Sequence, residues 1–185
     1  MNIANKLTIL RIILIPFFII CFYIDALNET FSIFGVTTTY ANALALIIFS
    51  AAAITDWLDG YLARKLQLIS DFGKFMDPLA DKMLTTAAFL VFIPLGLLSS
   101  WVVFIILTRE FIVSGLRMSA ASKGNVIAAG ASGKFKTVLQ FITIISLLLI
   151  PILTPLNVIL IYTMTFATVV SGAEYIYKNI DVFKS

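Results

Sequence analysis

Asp56, Asp59, Asp77 and Asp81 are the residues of this chain whose type and spacing most directly suit chemistry. At about 100° per residue, with Asp56 as zero, Asp59 lies about 60° to one side, Gly60 about 40° to the other, Ala63 near ~20° and Arg64 about 80° away. These residues share one face of a helix. Asp77 and Asp81 are spaced by one helical turn and share a face of the next helix, with Ser70, Asp71 and Gly73 in the connection. Two antiparallel helices would point these pairs of carboxylates at each other. Carboxylates packed that closely repel and take up protons unless a cation sits between them. An all-oxygen donor set suits a hard divalent ion, Mg2+ or Mn2+, with room for one ion or two. Helix capping explains Asp71 or Asp77 singly, but not four aspartates at this spacing. Gly60 and Ala63 remove bulk from the Asp56 face, so a ligand or a neighbouring backbone can come close. Gly73 supplies either a positive φ in the loop or a ligand contact.

The elements that must position these residues are apolar. Of 185 residues, 61% are hydrophobic and 12% charged, and there is no histidine. A water-soluble domain of this size cannot hide so much apolar surface, so the class is integral membrane protein. The lack of histidine excludes a histidine base and imidazole metal ligation, which leaves Asp and Glu for acid, base and ligand work. Cys21, the only cysteine, reads as packing. The start Met-Asn-Ile-Ala-Asn-Lys shows no signal-peptide cleavage site.

The fold class read from this pattern is all-α: a membrane bundle of six transmembrane helices with a short N-terminal amphipathic lead, forming one domain over residues 1–185. The lead covers 1–11, and the spans fall at about 9–24, 41–63, 78–97, 101–121, 138–153 and 155–177. Residues 25–40 and 122–137 read as connections. Pro78 fits the first turn of the third helix, with Asp77 before it as the cap.

The basic residues set the orientation. Lys6, Arg11, Arg64, Lys65, Lys74, Lys82, Arg117, Lys123, Lys134, Lys136, Lys178 and Lys184 fall at the N-terminus, the second-to-third and fourth-to-fifth loops and the C-terminus. The positive-inside rule then puts both termini in the cytoplasm, which agrees with an even number of spans. Arg109 is the exception. It lies some 12 Å along its helix from Trp101, near mid-membrane, where a charge needs a polar cavity. A hydrophilic pocket reaching in from the cytoplasm is the expectation.

The run Asp56-x2-Asp59-Gly60-x2-Ala63-Arg64-x8-Gly73-x3-Asp77-x3-Asp81 resembles, without a departure, the signature of the CDP-alcohol phosphatidyltransferase family. Asn5-Lys6-Leu7-Thr8 with Arg11, Thr108-Arg109-Glu110-Phe111, Ser114-Gly115-Leu116-Arg117, Gly133-Lys134-Phe135-Lys136-Thr137 and Ser171-Gly172-Ala173-Glu174-Tyr175 look like the bacterial branch that makes phosphatidylglycerol phosphate. The resemblance implies that the hydroxyl of glycerol 3-phosphate attacks the diacylglycerol-linked phosphorus of CDP-diacylglycerol and expels CMP. It implies metal held by Asp56, Asp59, Asp77 and Asp81, with Asp81 also the catalytic base. An ordinary aspartate is a poor base near neutral pH, so either its pKa rises or the metal acidifies the hydroxyl. CDP-diacylglycerol would be held at Asp56, Gly60, Ala63, Arg64 and Gly73, with the small residues leaving room for cytidine and Arg64 meeting a phosphate oxygen. The acceptor phosphate calls for Arg109, Arg117, Lys134 and Lys136, with Thr8 and Arg11 at the rim. Positive-inside charge also accounts for Arg117, Lys134 and Lys136, interfacial anchoring for Thr8 and Arg11, and pairing with Glu110 or Glu174 for Arg109. Membrane lipids and a second copy in a homodimer are the further partners implied; no nucleic acid is expected. The location implied is the bacterial cytoplasmic membrane, multi-pass, with the active site facing the cytoplasm.

Three alternatives follow from the same residues. A sister enzyme would use inositol phosphate, serine or phosphatidylglycerol as acceptor; inositol phosphate shares the need for cations. An intramembrane prenyltransferase also holds diphosphate on aspartates, but with two such motifs. A divalent-cation transporter would scatter carboxylates near the bilayer midplane on several helices.

Overall fold

The computed structural model describes residues 3–33, 35–65, 71–122 and 130–179, apart from the side chains at 3–4, 33, 57, 59–65, 71–78, 81 and 122. Among these residues the elements are α1 (Ile3–Ile20), a short 3-10 turn (Asp25–Asn28), β1 (Thr30–Ile33), β2 (Val36–Thr39), α2 (Tyr40–Lys65), α3 (Asp71–Phe92), α4 (Ser100–Ser122), α5 (Ala131–Leu149) and α6 (Pro155–Lys178). The chain divides into two compact units. One holds Met1–Pro94 and Ile144–Pro151, the other Leu95–Thr143 and Ile152–Ser185, so the division falls within α5.

In the first unit α1 packs on α2 and α3. Its buried positions Asn5, Thr8, Arg11, Ile15 and Phe18 recur every three or four residues, and Cys21 just beyond its end continues them, which makes one stripe, polar at the start and apolar beyond. The facing positions of α2 are Ala41, Ala45, Phe49 and Ala52, and the small side chains let backbones approach. Phe18 and Phe49 meet with ring centroids 6.2 Å apart. On α3, Ala80, Leu84, Ala87, Ala88, Val91 and Phe92 are buried at the same helical period.

The second unit is built on α4 against α6, where Val113, Leu116 and Tyr175 form a buried cluster. Thr154 caps α6: its hydroxyl accepts from the Asn157 N–H at 3.2 Å, and Pro155 takes the first helical position, where no N–H is missed. Thr154→Ala is expected to cost about 1 kcal/mol. A thermal unfolding midpoint in detergent, lower than that of the parent, is the check.

α5 and α6 are long and apolar enough to cross a membrane. The outer face of α6 carries Leu156, Ile159, Tyr162, Phe166, Val169 and Val170, all exposed at helical spacing. Water does not tolerate an apolar face of that length on a monomer, whereas lipid does. This is a helical membrane protein.

Several expectations need correction. Asp77 is not the cap of the third helix, and Pro78 is not in its first turn: α3 starts at Asp71 and carries both inside it. An internal proline gives up one i→i−4 bond, which membrane helices absorb locally. The same helix stops at Phe92 rather than Leu97, because Pro94 cannot continue it and Gly96, at φ 71°, turns the chain. Residues 131–137, read as connection, form the first turns of α5, so Lys134 and Lys136 are helical. Residues 25–40 are not featureless: β1 and β2 pair antiparallel with Thr30 opposite Thr39, and Phe31 stacks on Tyr40 at 4.6 Å. The N-terminal lead runs directly into the first span, since α1 is continuous from Ile3 through Pro16, but that helix ends at Ile20 rather than Ile24.

Candidate active site

The acidic motif lies on α2 and α3. Asp56 and Asp59 are within α2 and Asp77 and Asp81 within α3, so the helical backbone keeps the first pair three residues apart and the second pair four apart. Gly60, Ala63 and Arg64 follow on α2, and Gly73 lies in the first turn of α3 rather than in a loop. The side chains of Asp59, Arg64, Asp77 and Asp81 lie outside the described set, and only Asp56 of the four aspartates is described to its carboxylate. Its Oδ1 is 2.8 Å from Nη1 of Arg11, whose side chain is 0% exposed while 43% of the Asp56 side chain stays open. A half-exposed carboxylate on a helix that carries a second aspartate one turn on fits a hard divalent cation.

Arg11 is therefore not an interfacial charge. It is buried on α1, one turn after the buried Thr8. The signal was present in the sequence: Asn5, Thr8 and Arg11 recur every three residues, as a polar stripe on one helix face must.

The cationic residues gather in the second unit. Arg109 and Arg117 of α4 line a cavity of about 190 Å³ together with Gly130, Ser132 and Gly133 and with Ser171, Glu174, Tyr175 and Lys178 of α6. Arg109 lies with Nη1 3.3 Å from the Glu110 carboxylate, and Lys136 of α5 pairs with the same oxygen. One carboxylate thus holds two cations, and Lys136 is almost wholly buried in doing so. The Arg109 stem runs along Gly172, where a Cβ would lie 2.9 Å from its Cγ, and its Nη2 approaches Gly133. Gly172 is needed for that approach, whereas a Cβ at Gly133 would lie 3.5 Å from Nη2, an ordinary contact. The Nε of Arg109 is buried and without a hydrogen-bond partner among the described residues. Arg117 donates from Nε to the Tyr175 hydroxyl at 3.3 Å and lies over its ring at 5.5 Å from the centroid. Glu174 pairs with Lys178 one turn on.

The cavity therefore carries Arg109, Arg117 and Lys178 against Glu174, an excess of positive charge suited to an anion. Lys134 is exposed on α5 and does not line this cavity. Thr8 belongs to the other unit. Sequence reasoning named Glu110 as a partner of Arg109 but not of Lys136, 26 residues further along.

These features define a helical membrane protein with an aspartate motif on one helix pair and a cationic cavity between others. The profile of the CDP-alcohol phosphatidyltransferase family matches residues 1–170. A CDP-diacylglycerol--glycerol-3-phosphate 3-phosphatidyltransferase of Bacillus subtilis is 41% identical over 100% of this chain and 98% of its own length. A probable phosphatidylglycerophosphate synthase of Mycobacterium tuberculosis is 38% identical over 96% of this chain and 81% of its own. The Wigglesworthia glossinidia relative, with the same name as that of Bacillus, is 35% identical over 96% and 94%. The chain belongs to the CDP-alcohol phosphatidyltransferase family.

Proposed function

We propose that this enzyme transfers the phosphatidyl group of CDP-diacylglycerol to glycerol 3-phosphate, releasing CMP and forming phosphatidylglycerol phosphate. The observation that carries this reading is the unbroken signature from Asp56 to Asp81 in a chain similar over its whole length to a relative named for that reaction. The cationic cavity supports the choice of a phosphorylated acceptor.

The roles follow from the residue chemistry. Asp81 takes the proton from the acceptor hydroxyl as its oxygen bonds to the diacylglycerol-linked phosphorus. The bond from that phosphorus to the bridging oxygen breaks, and CMP leaves with the electron pair. A divalent ion, Mg2+ or Mn2+, held by Asp56, Asp59, Asp77 and Asp81, would neutralise the pyrophosphate and the charge that develops on CMP. Gly60, Ala63 and Gly73 leave space for cytidine beside Asp56, and Arg64 meets a phosphate oxygen. Arg109 and Arg117 grip the acceptor phosphate, Arg109 by the fork geometry that matches two oxygens at once. Lys136 acts with Arg109 through their shared carboxylate, Lys134 adds an outer positive charge, and Thr8 contributes a hydroxyl.

The same reading places the chain in the bacterial cytoplasmic membrane as six spans, with both termini and the active site on the cytoplasmic side. The loop asymmetry of Lys and Arg supports that orientation. Residues 1–185 act as one domain, which the family match across both units supports, and two copies form a homodimer.

The test is CMP release by purified protein in detergent with CDP-diacylglycerol and Mg2+, with glycerol 3-phosphate, inositol phosphate, serine or phosphatidylglycerol added separately. Release is expected with glycerol 3-phosphate and is expected to stop in chelator. Release with inositol phosphate instead would keep the mechanism and replace the acceptor. No release with any of the four, from folded protein that binds divalent ions, would point to cation transport.

A further inference from the structure

We propose that Arg11 is the resident counter-ion of the acidic centre, a positioning residue that commits one oxygen of Asp56 and leaves the other for the divalent cation. This rests on the metal-ligand reading of Asp56.

The pair is asymmetric. The guanidinium side chain is fully buried, whereas 43% of the Asp56 side chain is accessible, and Nη1 lies 2.8 Å from Oδ1. A buried cation needs opposing charge, and Asp56 supplies it from a position that reaches outward. Oδ2 is the oxygen we assign to the ligand. The pairing is also built into the packing. α1 lies against both α2 and α3, the helices that carry the four aspartates, and its buried stripe brings Arg11 onto α2 at the level of Asp56.

Two consequences follow. A fixed positive charge beside Asp56 offsets the repulsion that further carboxylates brought to it would exert. Fixing Oδ1 also fixes the direction of Oδ2, as outer groups do for metal ligands generally. A purely structural role, holding α1 to α2, would lower stability and leave cation affinity unchanged.

The experiment is a Mn2+ titration of purified protein in detergent without lipid substrate, followed by electron paramagnetic resonance of the free ion, with thermal unfolding alongside. Wild type is compared with Arg11→Lys and Arg11→Met. Folded Arg11→Met is expected to bind Mn2+ about 10-fold more weakly, with Arg11→Lys between the two. Wild-type affinity in folded Arg11→Met overturns the proposal and leaves Arg11 as an anchor. If Arg11→Met does not fold, Arg11→Lys decides: weaker binding supports the proposal, unchanged binding overturns it. A wild type that binds no Mn2+ overturns the metal reading of Asp56 and this role with it, whereas binding in wild type and unchanged affinity in the variants removes the role of Arg11 alone.

Discussion

Asp81→Asn is expected to lower CMP release by about 10³-fold, within the span that loss of a general base produces. Asparagine keeps the shape of the side chain and removes both its basicity and its charge, so the helical backbone of α3 should be unaffected. If Asp81 serves only as a ligand, a higher Mg2+ concentration compensates for the lost oxygen. If it takes the proton, saturating Mg2+ restores nothing. The decisive comparison is the rate of Asp81→Asn against Asp59→Asn across an Mg2+ series, both checked for folding by thermal unfolding. Recovery of Asp81→Asn to near the wild-type rate would remove it from the role of base.

The second large effect is expected at Arg109. Arg109→Ala deletes the guanidinium from the cavity and should raise KM for glycerol 3-phosphate about 30-fold, corresponding to roughly 2 kcal/mol for a charge-assisted contact. KM for CDP-diacylglycerol should change little. Gly172→Ala should reproduce part of this without touching the charge. Its new Cβ would lie 2.9 Å from the Arg109 Cγ, in the middle of the side chain rather than at a movable tip, so the arginine must shift. Initial rates with each substrate varied in turn are the measurement. A Gly172→Ala enzyme with an unchanged KM for glycerol 3-phosphate would mean that the position of Arg109 does not matter to the acceptor.

How much of this was legible in the sequence differs by element. α2, α4 and α6 were recoverable within a residue or two, because long apolar runs end at charge, at a turn or at Thr154-Pro155. α3 and α5 were misjudged at their starts for opposite reasons. Pro78 reads locally as a helix beginning, yet the helix is already two turns long there. Residues 131–137 are rich in Gly, Ser and Lys, which reads as loop, yet Lys136 is drawn into the unit by its ion pair with Glu110, a partner no local pattern reveals. The acidic motif was readable as two pairs of aspartates on two helices, because each spacing is fixed within α2 or α3. The cationic cavity was readable only as a set of charges. Which of them share a carboxylate, and which lie outside the cavity as Lys134 does, depends on the contact of three helices. Arg11 was underestimated because a cation near the start of a membrane chain has an ordinary explanation in lipid headgroups.

Cys21 gives the molecule a practical property. It is the only thiol in the chain, it is 3% exposed, and its Sγ donates to the Phe17 carbonyl at 3.1 Å. Maleimide reagents therefore meet a natively silent background. A cysteine introduced at Ser99, in the turn before α4, or at Tyr177, near the end of α6, can be labelled in intact cells and read without first removing the native one. The sidedness of every helix end becomes accessible in an otherwise wild-type enzyme.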